Sequence, residues 1–233
     1  GRFGYGEAAQ AVAVEIPRAY GRLRPVDGID EVTLRYADPE KNLDLLRSLH
    51  QADTQDRPGS VVPDERWMRK QIDDPPADRH GASVLRCVLA ERSGTPTGYA
   101  LYATKGSWDA GGPHGTVSIR RVHASDAASQ AALWRFLIDQ DLMSTAVARH
   151  LAVDDPLLSL LVDPRRARPQ VRDGLWLRLV DVDRALARRT YTTSIDMVLE
   201  VRDAVCPWNA GRHRLVGSPA GAECAPTTDP ADL

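Results

Sequence analysis

The stretch DGLWLRLVDVDR, residues 173–184, decides how the rest of the chain is read. Leu175, Leu177 and Leu179 fall on one face by the two-residue period of a pleated strand, and Trp176, Arg178 and Val180 fall on the other. Nearly both faces are apolar, which predicts a buried, central strand rather than an edge. Asp183 stands as the N-cap of a turn over residues 184–188, its carboxylate accepting from free backbone amides. Before this stretch the pattern is that of a mixed α/β unit. After it a second, strand-rich unit begins, so the stretch is the hinge of the architecture.

Working outward from it, residues 11–16, 32–36, 83–91, 99–104, 116–123 and 146–153 read as strands. The connection SGTPTG, 93–98, reads as a hairpin turn, and 108–115 as a Gly-rich loop. Asp38–Pro39 carries the cap-plus-proline signature of a helix start, with Asn42, Leu45, Leu46 and Leu49 at helical spacing. A second helix is expected near 64–72. Asp126 caps an amphipathic helix in which Leu133, Phe136, Leu137 and Gln140 share one stripe. Residues 155–161 form a short helix with Pro156 at its first position. The basic, Pro- and Gly-containing connection 18–30 reads as a domain boundary. Beyond Tyr191, strands are expected at 197–201 and 214–216. The order is that of an α/β (α+β) protein with a mixed, partly antiparallel sheet flanked by helices.

The composition excludes several function classes. The 233 residues, 42% hydrophobic and 27% charged, suit a soluble globular protein of one large or two ordinary domains. A net charge of -2 gives no reason to invoke nucleic acid or an anionic membrane. No apolar run approaches the roughly 20 residues of a membrane span. Basic residues are nearly all arginine, which fits codon bias in a GC-rich genome better than phosphate binding. Cys87, Cys206 and Cys224 are odd in number with no CxxC spacing, pointing to a reducing, cytoplasmic setting. The six histidines show no HxH or HExxH spacing, so no metal site is expected. No G-x-S-x-G occurs, and His123 beside Ser125 and Asp126 reads as a local cap rather than a triad. The start at Gly1, with no signal peptide, and the helix-opening DPADL at 229–233 give the expectation of a piece of a longer protein, cut at both ends.

The blocks GRFGYG (1–6), ALWRFLIDQDL (132–142), VDDPLLSLLVDPRRARP (153–169), DGLWLRLVDVDRALARRTY (173–191) and CPWNAGRHRL (206–215) carry a resemblance. Over essentially the full length the chain resembles the Eis-like (enhanced intracellular survival) acetyltransferases of actinobacteria. That resemblance implies a catalytic GNAT domain, a second GNAT-like domain and a sterol-carrier-like domain. It also implies acetyl-CoA as co-substrate, amine acceptors such as aminoglycosides or lysine, and a homo-oligomer, a hexamer. On that comparison residues 1–24 are the tail of the catalytic domain. Residues 25–175 are the second GNAT-like domain, and 176–233 open the sterol-carrier-like domain. The resemblance places the general-acid tyrosine one position before Gly1 and the C-terminal carboxylate beyond Leu233, so no catalytic residue is assigned within the chain. It places Gly1, Arg2 and Phe3 at the acyl end of the CoA site, and Trp67 and Tyr191 as walls of the substrate cavity.

Amine acetylation needs backbone amides for a pyrophosphate, a donor for the departing thiolate and a base for the amine. The one internal candidate for the cradle is the step from strand 116–123 into the helix at Asp126. Its loop, HASDAASQAAL, has no glycine and an acidic cap that repels phosphate and occupies the amides itself. The middle domain is therefore expected to be degenerate, with no CoA site. For GRFGYG two readings stay open: a turn near the acyl site, or a turn into a strand with Phe3 and Tyr5 in the core. Trp67, Trp134, Trp176 and Trp208 read as core or domain-interface packing. The basic loop with Arg165, Arg166 and Arg168 either pairs across a subunit interface or is solvated. Two functions remain open: part of an amine N-acetyltransferase, or a non-catalytic binding and oligomerisation module.

Overall fold

The computed structural model describes residues 3–57, 60 and 62–228. The chain runs β1 (Gly6–Pro17), β2 (Val32–Ala37), α1 (Leu43–Thr54), α2 (Glu65–Ile72), β3 (Arg86–Arg92) and β4 (Thr95–Lys105). The two-residue strands β5 (Trp108–Asp109) and β6 (Gly112–Pro113) follow, then β7 (Gly115–Ala124), α3 (Ala127–Ile138), β8 (Met143–Leu151) and α4 (Pro156–Leu160). The remainder is β9 (Gln170–Leu177), α5 (Val182–Ala187), β10 (Ile195–Val201), β11 (Gly211–Ser218) and β12 (Gly221–Pro226). One sheet has the order β2-β3-β4-β7-β8-β1-β9, a second the order β10-β11-β12, and β5 pairs with β6. The pair β7–β8 is parallel, whereas β2–β3, β3–β4, β4–β7 and β1–β8 are antiparallel. The sheet is thus mixed and carries helices on both faces, as the element order predicts.

Two compact units are distinguished, Gln10–Arg172 and the described residues of Gly1–Ala9 with Asp173–Leu233. In the larger unit the strand period sorts side chains onto two cores. Val88, Ala90, Ala100 and Tyr102 face one core with α3, while Cys87, Leu89, Tyr99 and Leu101 face the other with α1 and α2. Leu133, Trp134 and Leu137 of α3 are fully buried. Burial of each such side chain stabilises by about 1.5–3 kcal/mol. The 18–30 connection lies inside this unit. Arg24 N donates to Leu160 O at 2.7 Å and Val162 N to Arg22 O at 3.0 Å, pinning it beside α4.

Several expectations are corrected. The 173–184 stretch is not a buried central strand: β9 ends the sheet order and is exposed along its length, Leu175 by 48% and Leu177 by 55%. An apolar pattern on both faces reports two faces that favour cover and does not say that this fold supplies it. The helix cap there is Asp181, which accepts from Arg184 N at 2.9 Å. Asp183 instead meets His213 Nδ1 at 2.5 Å. Asp38 accepts from Glu40 N at 3.0 Å as a local turn, and α1 starts only at Leu43. Trp134 is core as expected, but Trp208 is exposed, its Nε1 donating to Val180 O at 2.7 Å, and Trp176 is half-exposed.

In the smaller unit, Asp203 accepts from Cys206 N at 2.8 Å, Val205 N at 3.0 Å and Asn209 Nδ2 at 3.2 Å. The guanidinium of Arg178 joins it and also donates to Phe3 O. The amide of Cys206 and then Arg178 hold the Asp203 carboxyl far below the usual carboxylate range. Gly4, at φ +72°, lies directly against Arg178, so a side chain there would collide as well as strain the backbone. Gly4 thus lets the backbone approach this arginine closely. Phe3 and Tyr5 are exposed, which removes the reading that buries them in the core.

Candidate functional site: the cleft between β7 and β8

β7 and β8 pair over Gly115–Ile119 against Met143–Ala148, and there the ladder stops. Beyond it β7 runs on to Ala124, still paired with β4, while β8 runs to Leu151. The divergence has a local cause. Leu101 faces Arg121 and Tyr102 faces Ile119, which leaves Arg120 as an extra residue in β7. Such a bulge bends and twists its strand. Gly98 keeps β4 close to β7 at the open end, where a Cβ would lie 2.7 Å from His123 O. The gap between the diverging strands encloses about 340 Å³, lined from α1, β7, α3, β8 and α4.

Behind one wall, from His123 inward, runs a chain of rings. His123 Nδ1 lies 2.6 Å from Asp53 Oδ2 on α1. The His123 ring stands 4.1 Å from His50, and His50 stands 4.9 Å from Trp67. His50 is buried and its Nδ1 has no partner among the described residues. Burial, then the positive field of His123 and Arg121, pushes His50 down to about 4. Burial also raises Tyr99 beyond its ordinary range and pushes the Cys87 thiol up to about 12, so neither is a ready acid or nucleophile.

The opposite wall is the start of α3. Asp126 Oδ1 accepts from Ser129 N at 2.9 Å and Oδ2 from Ser129 Oγ at 2.8 Å. Ser129 Oγ lies 2.7 Å from Thr97 Oγ1, which ties the cap into β4. A pyrophosphate would need these amides without a carboxylate among them. With the Asp126 carboxylate on Ser129, the residues present are a poor fit for the diphosphate of an acyl-CoA.

Of the residues assigned from sequence, Gly1 and Arg2 lie outside the described residues, and Phe3 presents its carbonyl to Arg178. Trp67 packs behind the cleft wall against His50. Tyr191 belongs to the smaller unit, where its ring covers Gly217 and its hydroxyl donates to Leu186 O at 3.1 Å. Asp155 caps α4 as expected, accepting from Leu157 N at 2.9 Å. Arg168 meets Glu15 at 2.9 Å and Arg166 lies over the Tyr20 ring, so two arginines of the basic loop have partners within the chain. His50, Asp53, Arg121 and Gln130 belong to no sequence motif. A signal existed for two of them: Leu46, Leu49, His50 and Asp53 follow the i, i+3, i+4, i+7 spacing of the buried face of α1. Among the described residues no cluster of metal-binding side chains occurs, and no helix is long and apolar enough to cross a membrane.

A sheet whose two parallel neighbours diverge at a bulge can be compared with known proteins. Residues 59–179 match the sequence profile of the Acetyltransferase (GNAT) domain. The chain belongs to the GNAT acetyltransferase family. Residues 182–233 match the profile of the sterol carrier protein domain. An uncharacterized N-acetyltransferase of Streptomyces coelicolor is 45% identical over 233 residues, covering 100% of this chain and 56% of the relative. The N-acetyltransferase Eis of Mycobacterium tuberculosis is 30% identical over 245 residues, again 100% of this chain and 56% of the relative. The chain therefore spans about half the length of the curated relatives it matches. Among solved structures, a GCN5-related N-acetyltransferase from Anabaena variabilis superposes with a TM-score of 0.74 at 20% identity, over 98% of this chain and 55% of that one. An Eis protein of Mycobacterium abscessus superposes at 0.64 with 30% identity, over 97% and 55%. The GNAT fold with helices on both sheet faces is thereby shown.

Proposed function

We propose that this chain serves an acetyl-CoA-dependent N-acetyltransferase of the Eis type that acts on amines, aminoglycosides or lysine among them. Within it, residues 25–175, with β1 (Gly6–Pro17) paired into the same sheet, act as a second, scaffold GNAT-like domain and 176–233 as a sterol-carrier-like part. The observation that carries the scaffold role is the Asp126 carboxylate on the Ser129 amide and hydroxyl at the start of α3. The amine-acetylating role is supported by the 30% identity to Eis proteins. The acyl donor is then held outside the β7–β8 cleft, and this chain contributes positioning and assembly, as a homo-oligomer such as a hexamer. An acetyl-transfer assay of the natural protein that carries this chain, with acetyl-CoA and a panel of aminoglycosides and lysine peptides, should release CoA with at least one amine. Silence across the panel would overturn the reading.

A second reading, a non-catalytic binding or oligomerisation module, is favoured by the exposed apolar length of β9. It expects no acetyl transfer from the natural protein, together with self-association that is lost in Leu175→Ser.

A further inference from the structure

Two charges in the β7–β8 cleft have no ion-pair partner among the described residues. Most charged side chains that line it are engaged. Asp53 meets His123, Asp126 caps α3, and Arg57 meets Asp154 at 3.2 Å. Arg120 donates to Gln71 O at 2.9 Å and Asp73 O at 2.7 Å. Arg121 is different: half-buried, it donates to Arg120 O at 2.9 Å and reaches no carboxylate among the described residues. Asp155 spends one oxygen on Leu157 N and has no cation at ion-pair distance among the described residues. Burial lowers the Arg121 pKa and raises that of Asp155, so each charge is poorly solvated where it stands.

A third group points the same way. Gln130, in the second turn of α3, is 8% exposed and lines the cavity. Its carboxamide makes no hydrogen bond to another described residue and is left accessible to the cavity. The rest of the lining includes Ile119, Ala148 and Leu151. A volume of about 340 Å³ lies near the lower end of small-molecule sites, which run from about 300 to 1,000 Å³. One anion-seeking group, one cation-seeking group, an amide with both a donor and an acceptor, and an apolar wall describe a small molecule of definite chemistry.

We propose that the cleft binds a free α-amino acid with an apolar side chain, its carboxylate on Arg121, its ammonium on Asp155 and its side chain against Ile119 and Leu151. Gln130 bonds whichever polar end lies nearer α3. This goes beyond the acetyltransferase reading and does not depend on it, because the test involves no acyl transfer.

The experiment is thermal unfolding and calorimetric titration of the full chain with L-leucine, N-acetyl-L-leucine and L-leucinamide. L-leucine should raise Tm by roughly 5 °C at saturation. The N-acetyl compound lacks the ammonium and the amide lacks the carboxylate, so each should bind at least about tenfold more weakly, the cost of roughly one charge-assisted bond. Arg121→Met and Asp155→Asn should each abolish the shift. Asparagine keeps the cap on α4, so the second variant folds even if the first does not. Gln130→Leu should weaken binding by about tenfold. No response to L-leucine overturns the proposal. So does equal binding of all three compounds, which would mark a merely apolar pocket, or an undiminished shift in Asp155→Asn.

Discussion

α3 and β9 look alike as strings of letters, both rich in leucine and tryptophan, yet they end in opposite surroundings. Trp134 on α3 is fully buried, whereas Trp176 on β9 is 42% exposed. α3 lies against the sheet of its own unit, with Ile16, Tyr102 and Val117 in the same core. β9 stands at the end of the sheet order with nothing among the described residues to bury its leucines. An apolar pattern states what a segment needs and leaves open what will supply it.

The sharpest way to break that contrast is truncation on both sides of it. Trp134→Ala should destabilise the chain by about 3–5 kcal/mol in urea, with loss of the near-ultraviolet signal at lower denaturant. If the two regions were energetically alike, Leu175→Ser would cost a comparable amount.

The ring chain behind the cleft wall gives the next effect. His50 titrates near 4 in the fold against 6.5 when unfolded, so between those values the unfolded chain binds the extra proton. Its stabilising share is fully present above about 6.5 and is lost as pH falls toward about 4. The loss should be on the order of 2–3 kcal/mol, opposed by the neighbouring Asp53. Denaturant midpoints from pH 7.5 to pH 4 should flatten over that window in His50→Phe. An unchanged slope would show that the proton is taken up elsewhere.

Removing the cap with Asp126→Ala should cost about 1 kcal/mol, since Ser129 N loses its acceptor. Asp126→Asn should restore most of it; an equal loss in both variants would point to the weak Arg92 contact at 3.8 Å instead. The smallest effect belongs to the other side of the comparison. Leu175→Ser should stay within about 0.5 kcal/mol of the parent when measured at low protein concentration. A larger loss would mean that β9 is covered in solution.

Much of the architecture could be read in advance because local signals are strong where they are physical. Asp126 caps α3 where the Asp-before-helix pattern puts it, accepting from Ser129 N at 2.9 Å, and α2 begins at Glu65, close to the expected 64–72, with Asp64 accepting from Trp67 N at 2.6 Å. The β3–β4 hairpin follows its Ser93–Gly94 turn, both residues at positive φ. Asp38–Pro39 misled because the carboxylate was satisfied by its own turn before a helix could begin. Asp183 misled because Asp181, two residues earlier, offers the same chemistry. The candidate site was the least legible part. Asp53 and His123 are 70 residues apart, and the pair exists only because α1 packs on the α1-facing side of β7. The free carboxamide of Gln130 has no sequence mark at all.

Asp126 already holds the Ser129 amide at the start of α3, where the diphosphate of an acyl-CoA would sit. Calorimetric titration of the chain with acetyl-CoA tests it most directly. The account predicts no heat of binding in the micromolar range; a one-to-one isotherm with micromolar affinity, reduced by competition with free CoA, would contradict it.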